Sequence, residues 1–397
     1  MSIKHASIIP LIGGATLGQI NAFGNNPEYI LSFSAFKDND SHLLNYLKDT
    51  PYYLLDDNVP TLKKVDVINT VCPCAGLSTL SHSASADSVT NEWMYKTAEF
   101  VLETLKPEVF WGENSPQFAG KMGRPVVQRL LSIARMNGYT MSIYRTKSLL
   151  HGLSQVRERS FYFFWKGDRI PLLNYFKKPV KTIESLLDSV PFQATQQDLT
   201  NTRTPSKSDV LYRYVLEKIE KGVTHREFYD IIDNTTNPMD WLESKGYTYA
   251  QAAEWCRKMG EERTAARCDR IHEKLSEGRS IMRRQTTVPK HHIGAFVGHL
   301  PTALTHYHED RYLTVRECMS IMGLPDDFEL LNPKKNLNHI CQNVPVGTAT
   351  DMSTEIVAAL EGNRERVDAY LLKQSNHKQT YEIIDYQRNT IMSFTDK

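Results

Sequence analysis

Three short segments of this chain put reactive side-chain types where a site could use them. Val71-Cys72-Pro73-Cys74-Ala75-Gly76 ends an apolar run with a proline, a thiol and a glycine. A buried strand ending there delivers Cys74 to the carboxyl edge of a parallel sheet, where open α/β sheets bind ligands. Such a thiol is a nucleophile once a helix N-terminus or a cation lowers its pKa. The commoner fate of a cysteine is to fill apolar space, and Cys72, within the strand, is expected to do that. The second segment is Trp111-Gly112-Glu113-Asn114-Ser115-Pro116. Glu113 follows another strand, and partial desolvation would raise its pKa so that it carries a proton near neutrality. The same stretch reads as a helix start, with Asn114 or Ser115 as cap and Pro116 in the first turn. Third, Gln155-Val156-Arg157-Glu158-Arg159 precedes the aromatic run at 161–165. Arginines at i and i+2 share one side of an extended segment. Alone they are ordinary solvated charges, and the aromatic run is expected to be core strand. A thiol, a carboxyl and paired guanidinium groups at three strand ends suit a pyrimidine. The thiol attacks the ring, the carboxyl serves a ring nitrogen, and arginine holds the exocyclic oxygen.

The surrounding sequence supplies the strands this arrangement needs. Apolar runs at 7–12, 29–33, 65–71, 108–111, 141–146 and 160–165 read as strands. Between them, 40–47, 90–105 and 125–136 carry helical periodicity, with Met94, Ala98, Val101, Leu102 and Leu105 on one face. Strands alternating with helices predict a layered α/β fold with a largely parallel sheet. After about residue 167 the texture changes. Residues 183–284 are charged and mostly helical, and patterned sequence returns at 311–329 and 342–361. The expected organisation is a catalytic domain at 1–166, an insert at 167–310 and closing elements at 311–397.

On these residues the chain resembles the DNA cytosine-5 methyltransferase family. Pro73-Cys74, with Ser78 after it, is similar to the family's nucleophile motif. Glu113-Asn114 is similar to its Glu-Asn-Val motif, with Ser115 replacing Val. Gln155, Arg157 and Arg159 match its Gln-x-Arg-x-Arg motif. Arg311, Leu313, Thr314, Arg316, Glu317, Gly323, Pro325 and Phe328 resemble its Arg-x-Leu-Thr-x-Arg-Glu…Gly-Phe-Pro block. Asn343, Val344 and Pro345 resemble its late Gly-Asn-x-Val-Pro block. Five blocks in family order make chance similarity remote. The N-terminal motif departs: of Asp-x-Phe-x-Gly-x-Gly-Gly only Gly13 and Gly14 remain, and no Glu stands near 36–40 to meet the ribose hydroxyls.

The resemblance implies a Rossmann-like S-adenosylmethionine-dependent methyltransferase sheet with a mostly helical target-recognition insert. It implies Cys74, Glu113, Arg157 and Arg159 as the catalytic set. The cofactor, S-adenosylmethionine, would meet Gly13, Gly14, Pro73 and Asn343. Asp38 or Asp40 would substitute at the ribose, and Asp56 or Asp57 at the adenine amine. The implied partner is double-stranded DNA, bound by a monomer, with the cytosine flipped out. Ser78 and Gln155 would touch DNA, and the small polar stretch 78–88 would close as a lid. Between Gly278 and His308 no acidic residue occurs, while Arg279, Arg283, Arg284 and Lys290 accumulate, which suits phosphate contact or simply a solvated basic end.

The formal charge is +1, from 47 basic and 46 acidic side chains, so a nucleic-acid footprint must be local. The six cysteines contain no C-x-x-C pair, which argues against zinc and for a reduced, cytoplasmic setting. The first 14 residues read as a strand rather than a signal peptide, and no stretch has the length of a membrane span. An RNA-directed enzyme, a binding homologue without catalysis and the use of another one-carbon donor are the alternatives. Restriction companion, phage self-protection and epigenetic mark all suit the sequence.

Overall fold

The computed structural model describes residues 2–73, 75–78, 84–234, 245–279, 287–289, 291–297, 304–385 and 390–395. Strands β1 (His5–Ile8), β2 (Ile30–Ser32), β3 (Tyr52–Leu54), β4 (Val67–Thr70), β5 (Val109–Asn114), β6 (Tyr139–Lys147) and β7 (Glu158–Lys166) stand in the order 3-2-1-4-5-7-6. β7 is antiparallel to both neighbours and the other pairings among these seven are parallel. This is the Rossmann-like arrangement, and it puts a crevice where the strand order reverses, between β1 and β4. Helices α1 (Gly14–Phe23), α2 (Lys37–Tyr46), α3 (Glu92–Phe100) and α4 (Arg124–Met136) connect the strands. The face predicted for 90–105 is the buried one: Met94, Ala98, Val101 and Leu102 are all inside. The aromatic run is core strand as expected, with Phe161 to Trp165 at most 1% exposed.

The first apolar run is strand only to Ile8. Ile9 (φ 50°), Leu11 (φ 52°) and Gly13 (φ 103°) then take left-handed conformations in a turn. Burial made the whole run apolar, and apolar character alone does not separate a strand from a buried turn. Past β6 the sheet continues through β10 (Leu371–Ser375), β11 (Thr380–Asp385) and β12 (Thr390–Thr395), while β8 (Arg169–Pro171) and β9 (Arg366–Asp368) pair separately.

The region after β8 is mostly helical, as predicted. Helices Val210–Lys218, His225–Asn234, Tyr249–Lys258 and Glu262–Ser276 share a separate apolar cluster that includes Leu211, Phe228, Trp255 and Cys268. The flanking segments belong to other clusters. Ile170 and Leu173 pack on the sheet, and Ile183, Val288, Phe296 and Leu304 pack with α1, α2 and helix Val315–Ile321. Among the described residues no helix is long and apolar enough to cross a membrane.

Candidate active site

The carboxyl ends of β1, β2, β4 and β5 open into one cavity of about 470 Å³. Leu11 follows β1, Ala35 and Phe36 follow β2, Val71, Cys72, Pro73, Ala75 and Ser78 follow β4, and Glu113 is near the end of β5; all line it. Asn39, Arg157 and Gln342 complete the wall. Cys74 itself lies outside the described residues, but Pro73 and Ala75 on either side of it both face the cavity.

Sheet register brings Glu113 to Arg159. Glu113 is paired with Phe161 on antiparallel β7, so Arg159, two residues away, is its diagonal neighbour on the same face. Glu113 Oε1 and Arg159 Nε form an ion pair at 2.6 Å, with the Glu113 side chain 4% and the Arg159 side chain 15% exposed. Arg159 Nη1 also donates to Glu158 O. Breaking a pair this buried leaves an uncompensated charge, which is strongly destabilising.

The two arginines of the motif part company. Arg157 is 3% exposed, and its Nη1 and Nη2 donate to the carbonyls of Phe296 (2.8 Å) and Cys341 (2.9 Å). It braces the segment at 291–297 and the late block against the site. Gln155 corrects the expectation of a DNA contact. It is fully buried, and its Nε2 donates to Ile321 O at 2.9 Å, because a polar group taken from water must find its partners inside the protein.

Ser115 and Asn91 tie the neighbouring loops together; sequence reasoning offered Ser115 only as a helix cap, which its side chain does not form, and gave Asn91 no role. Ser115 Oγ donates to Leu77 O at 2.6 Å, fastening the loop after β5 to the loop that carries Cys74. A hydroxyl at the position of the resembled motif's Val was the available signal. Asn91 Nδ2 donates to the carbonyls of Ser85 and Ala86, anchoring the far side of the expected lid; residues 79–83 lie outside the described residues. Cys72 is buried in the strand end as expected: it is 1% exposed, and burial pushes its thiol above the ordinary range.

The expected cofactor residues divide. Pro73 lines the cavity. Gly13 and Gly14 give close approaches to protein: a Cβ on Gly13 would lie 2.5 Å from Leu43, and one on Gly14 1.9 Å from Val344 O. Gly14 N–H donates to Asn343 Oδ1 at 2.7 Å, which docks the late block on the start of α1. Asn343 Nδ2 is buried with no partner among the described residues. Asp57 is exposed in the turn after β3 and does not line the cavity. Asp56 accepts the Ser34 N–H with both oxygens at 3.1 Å. Asp40 is turned inward, where Tyr52 donates to it at 3.0 Å.

The blocks after residue 310 are structural clamps. Thr314 and Glu317 form a capping box that starts helix Val315–Ile321. Arg311 pairs with Glu317 at 2.8 Å, and Arg316 Nε donates to Asp198 at 2.8 Å. Of the basic strip, Arg279 is half-exposed and pairs with Glu273 and Glu277 of the preceding helical segment; Arg283, Arg284 and Lys290 lie outside the described residues. No metal-binding group of His, Cys, Asp and Glu occurs among the described residues.

Residues 47–358 match the family described as C-5 cytosine-specific DNA methylase. Among solved structures, a candidate DNA modification methyltransferase encoded within a prophage in Escherichia coli aligns with a TM-score of 0.56 at 15% identity, covering 91% of this chain and 100% of that one. The Entamoeba histolytica methyltransferase EhMeth aligns with a TM-score of 0.55 at 10% identity, covering 91% and 99%. Comparison with curated proteins returned no match.

Proposed function

The chain belongs to the C-5 cytosine-specific DNA methylase family, and from that premise we propose that it methylates carbon 5 of a flipped-out cytosine in duplex DNA through a covalent Cys74 adduct. The observation that carries this reading is the buried Glu113–Arg159 pair beside a cavity whose wall includes Pro73 and Ala75. Carbon 5 of cytosine is a weak nucleophile. Addition of the Cys74 thiolate to carbon 6 moves electron density toward carbon 5 and ring nitrogen 3. Glu113 supplies a proton to nitrogen 3 and so neutralises that charge, Arg159 holds oxygen 2, and Arg157 keeps the surrounding walls in place. Loss of the carbon 5 proton then expels Cys74 as thiolate.

The cavity fits S-adenosylmethionine. Leu11, Ala35, Phe36 and Val71 offer apolar surface for a purine. The orphaned donor of Asn343, next in sequence to Gln342 on the wall, suits an acceptor on the ligand. When bound, the cofactor supplies an electrophilic methyl group on a sulfonium. The helical insert within 167–310 is assigned to target recognition, since the cleft groups serve any cytosine and sequence is read through base edges.

The test is incubation with labelled S-adenosylmethionine and either duplex DNA or transfer RNA, followed by mass spectrometry of the nucleosides. The expected product is 5-methylcytosine in DNA, absent with Cys74→Ser and retained with Cys72→Ser. Label confined to RNA overturns the DNA assignment, and activity in Cys74→Ser overturns the nucleophile.

A further inference from the structure

Two amides on the cavity wall have no part in that mechanism. Asn39 lies in α2, after β2, and Gln342 immediately precedes Asn343. Asn39 Nδ2 donates to Gln342 Oε1 at 3.0 Å, so the pair bridges α2 and the late block across the cavity wall. Sheet order places β2 and α2 on the far side of the crevice from β5, opposite the Glu113 end.

That end of the cavity is without charge. Among the described residues that line it, Glu113 is the one acidic residue. Asp38 is exposed and 3.8 Å from Lys335, Asp56 is occupied by the Ser34 N–H, and Asp40 is buried against Tyr52. Two departures from the resembled blocks therefore meet in space. No Glu stands near 36–40, and the Gly of the late block is missing, with Gln342 directly before Asn343.

We propose that Asn39 and Gln342 are a neutral clamp for the ribose hydroxyls of the adenosyl cofactor. The proposal rests on the S-adenosylmethionine reading above and names the residues that replace a carboxylate. Chemistry favours the match. A carboxylate only accepts hydrogen bonds, whereas the amide pair keeps both functions after its mutual bond. One hydroxyl can donate to Asn39 Oδ1 while another accepts from Gln342 Nε2–H. Neutral hydrogen bonds are weaker than charge-assisted ones, so each hydroxyl contributes modestly. Because the clamp already joins α2 to the late block, the ribose meets a wall that is formed beforehand.

Isothermal titration of the intact protein with S-adenosylhomocysteine and with its 2′-deoxy and 3′-deoxy analogues tests this. In the wild-type protein, deleting one of the hydroxyls should weaken binding by about 3- to 10-fold. In Asn39→Ala and Gln342→Ala that penalty should shrink towards nothing, as a double-mutant cycle requires of a direct contact. Because the deletion is also made on the ligand, a fold defect in a variant cannot imitate the result. A penalty undiminished in both variants, or absent from the wild-type protein, overturns the clamp and leaves the cofactor reading standing. A folded wild-type protein that binds no S-adenosylhomocysteine overturns the cofactor reading and the clamp with it.

Discussion

Around the cleft, polar groups brought from distant parts of the chain are buried against one another. Glu113 meets Arg159, Arg157 holds carbonyls at 296 and 341, and Gly14 holds Asn343. In the helical insert the central contacts are apolar and near in sequence, drawn from helices between Val210 and Ser276. Its outer ion pairs, such as Lys258–Glu254, are largely exposed and contribute little. One buried polar node departs from this pattern: His225 lies between Asp209 (3.1 Å) and Thr305 (2.6 Å). The difference teaches where each region is vulnerable. Cleft geometry depends on long-range polar ties, so a single change there is felt in chemistry. The insert depends on local packing, so its surface can vary without disturbing the cleft.

The most severe way to challenge this contrast is Glu113→Gln. Single-turnover methylation should fall by about 10²- to 10⁴-fold, with S-adenosylhomocysteine affinity retained. A near-normal rate would remove Glu113 from the mechanism and the cleft from its special standing. Phe228→Ala tests the other region. Phe228 is fully buried in the insert cluster, and losing such a ring costs roughly 3–5 kcal/mol. Nucleic-acid binding and insert stability should collapse while S-adenosylhomocysteine still binds. Loss of both together in titrations would show that the two regions fold as one.

An effect that vanishes at low pH should come from Asp40, a cleft-side group outside the chemistry. Burial pushes its carboxyl from 3.8 up to about 7, only partly offset by hydrogen bonds from Ser32, Tyr52 and Leu11. The folded pKa is the higher one, so the unfolded chain loses its proton first and stability falls as pH rises from about 4 to about 7. Asp40→Asn should remove that fall. In urea titrations its advantage over the wild-type protein should grow between pH 5 and pH 8, to at most about 4 kcal/mol. A constant difference across that range would mean that Asp40 is ionised in the folded protein.

Sequence was most informative where one residue type has few explanations. Pro73, Glu113 and Arg157 of the singled-out motifs do meet at one cavity, and alternating strand and helix signals carried the sheet. Partner choice was hidden. Nothing local says that Gln155 turns inward to Ile321 O, or that Arg157 braces carbonyls at 296 and 341, because those partners lie 139 to 184 residues away. Strands β10 to β12 also escaped notice. Lys373, Gln374 and Glu382 interrupt their apolar pattern, and β12 is exposed throughout at the sheet edge, so burial imposed no clear alternation.

The hydrogen bond from Gly14 to Asn343 joins residues 329 positions apart. A ribosome must therefore make nearly the whole chain before the two can meet. At about 5–20 residues per second, β1 and α1 wait tens of seconds for the segment that closes over them, while the insert helices, with their short-range contacts, can form earlier. Ligand present during synthesis cannot template the first half of its own pocket, and the late block is the step on which maturation turns.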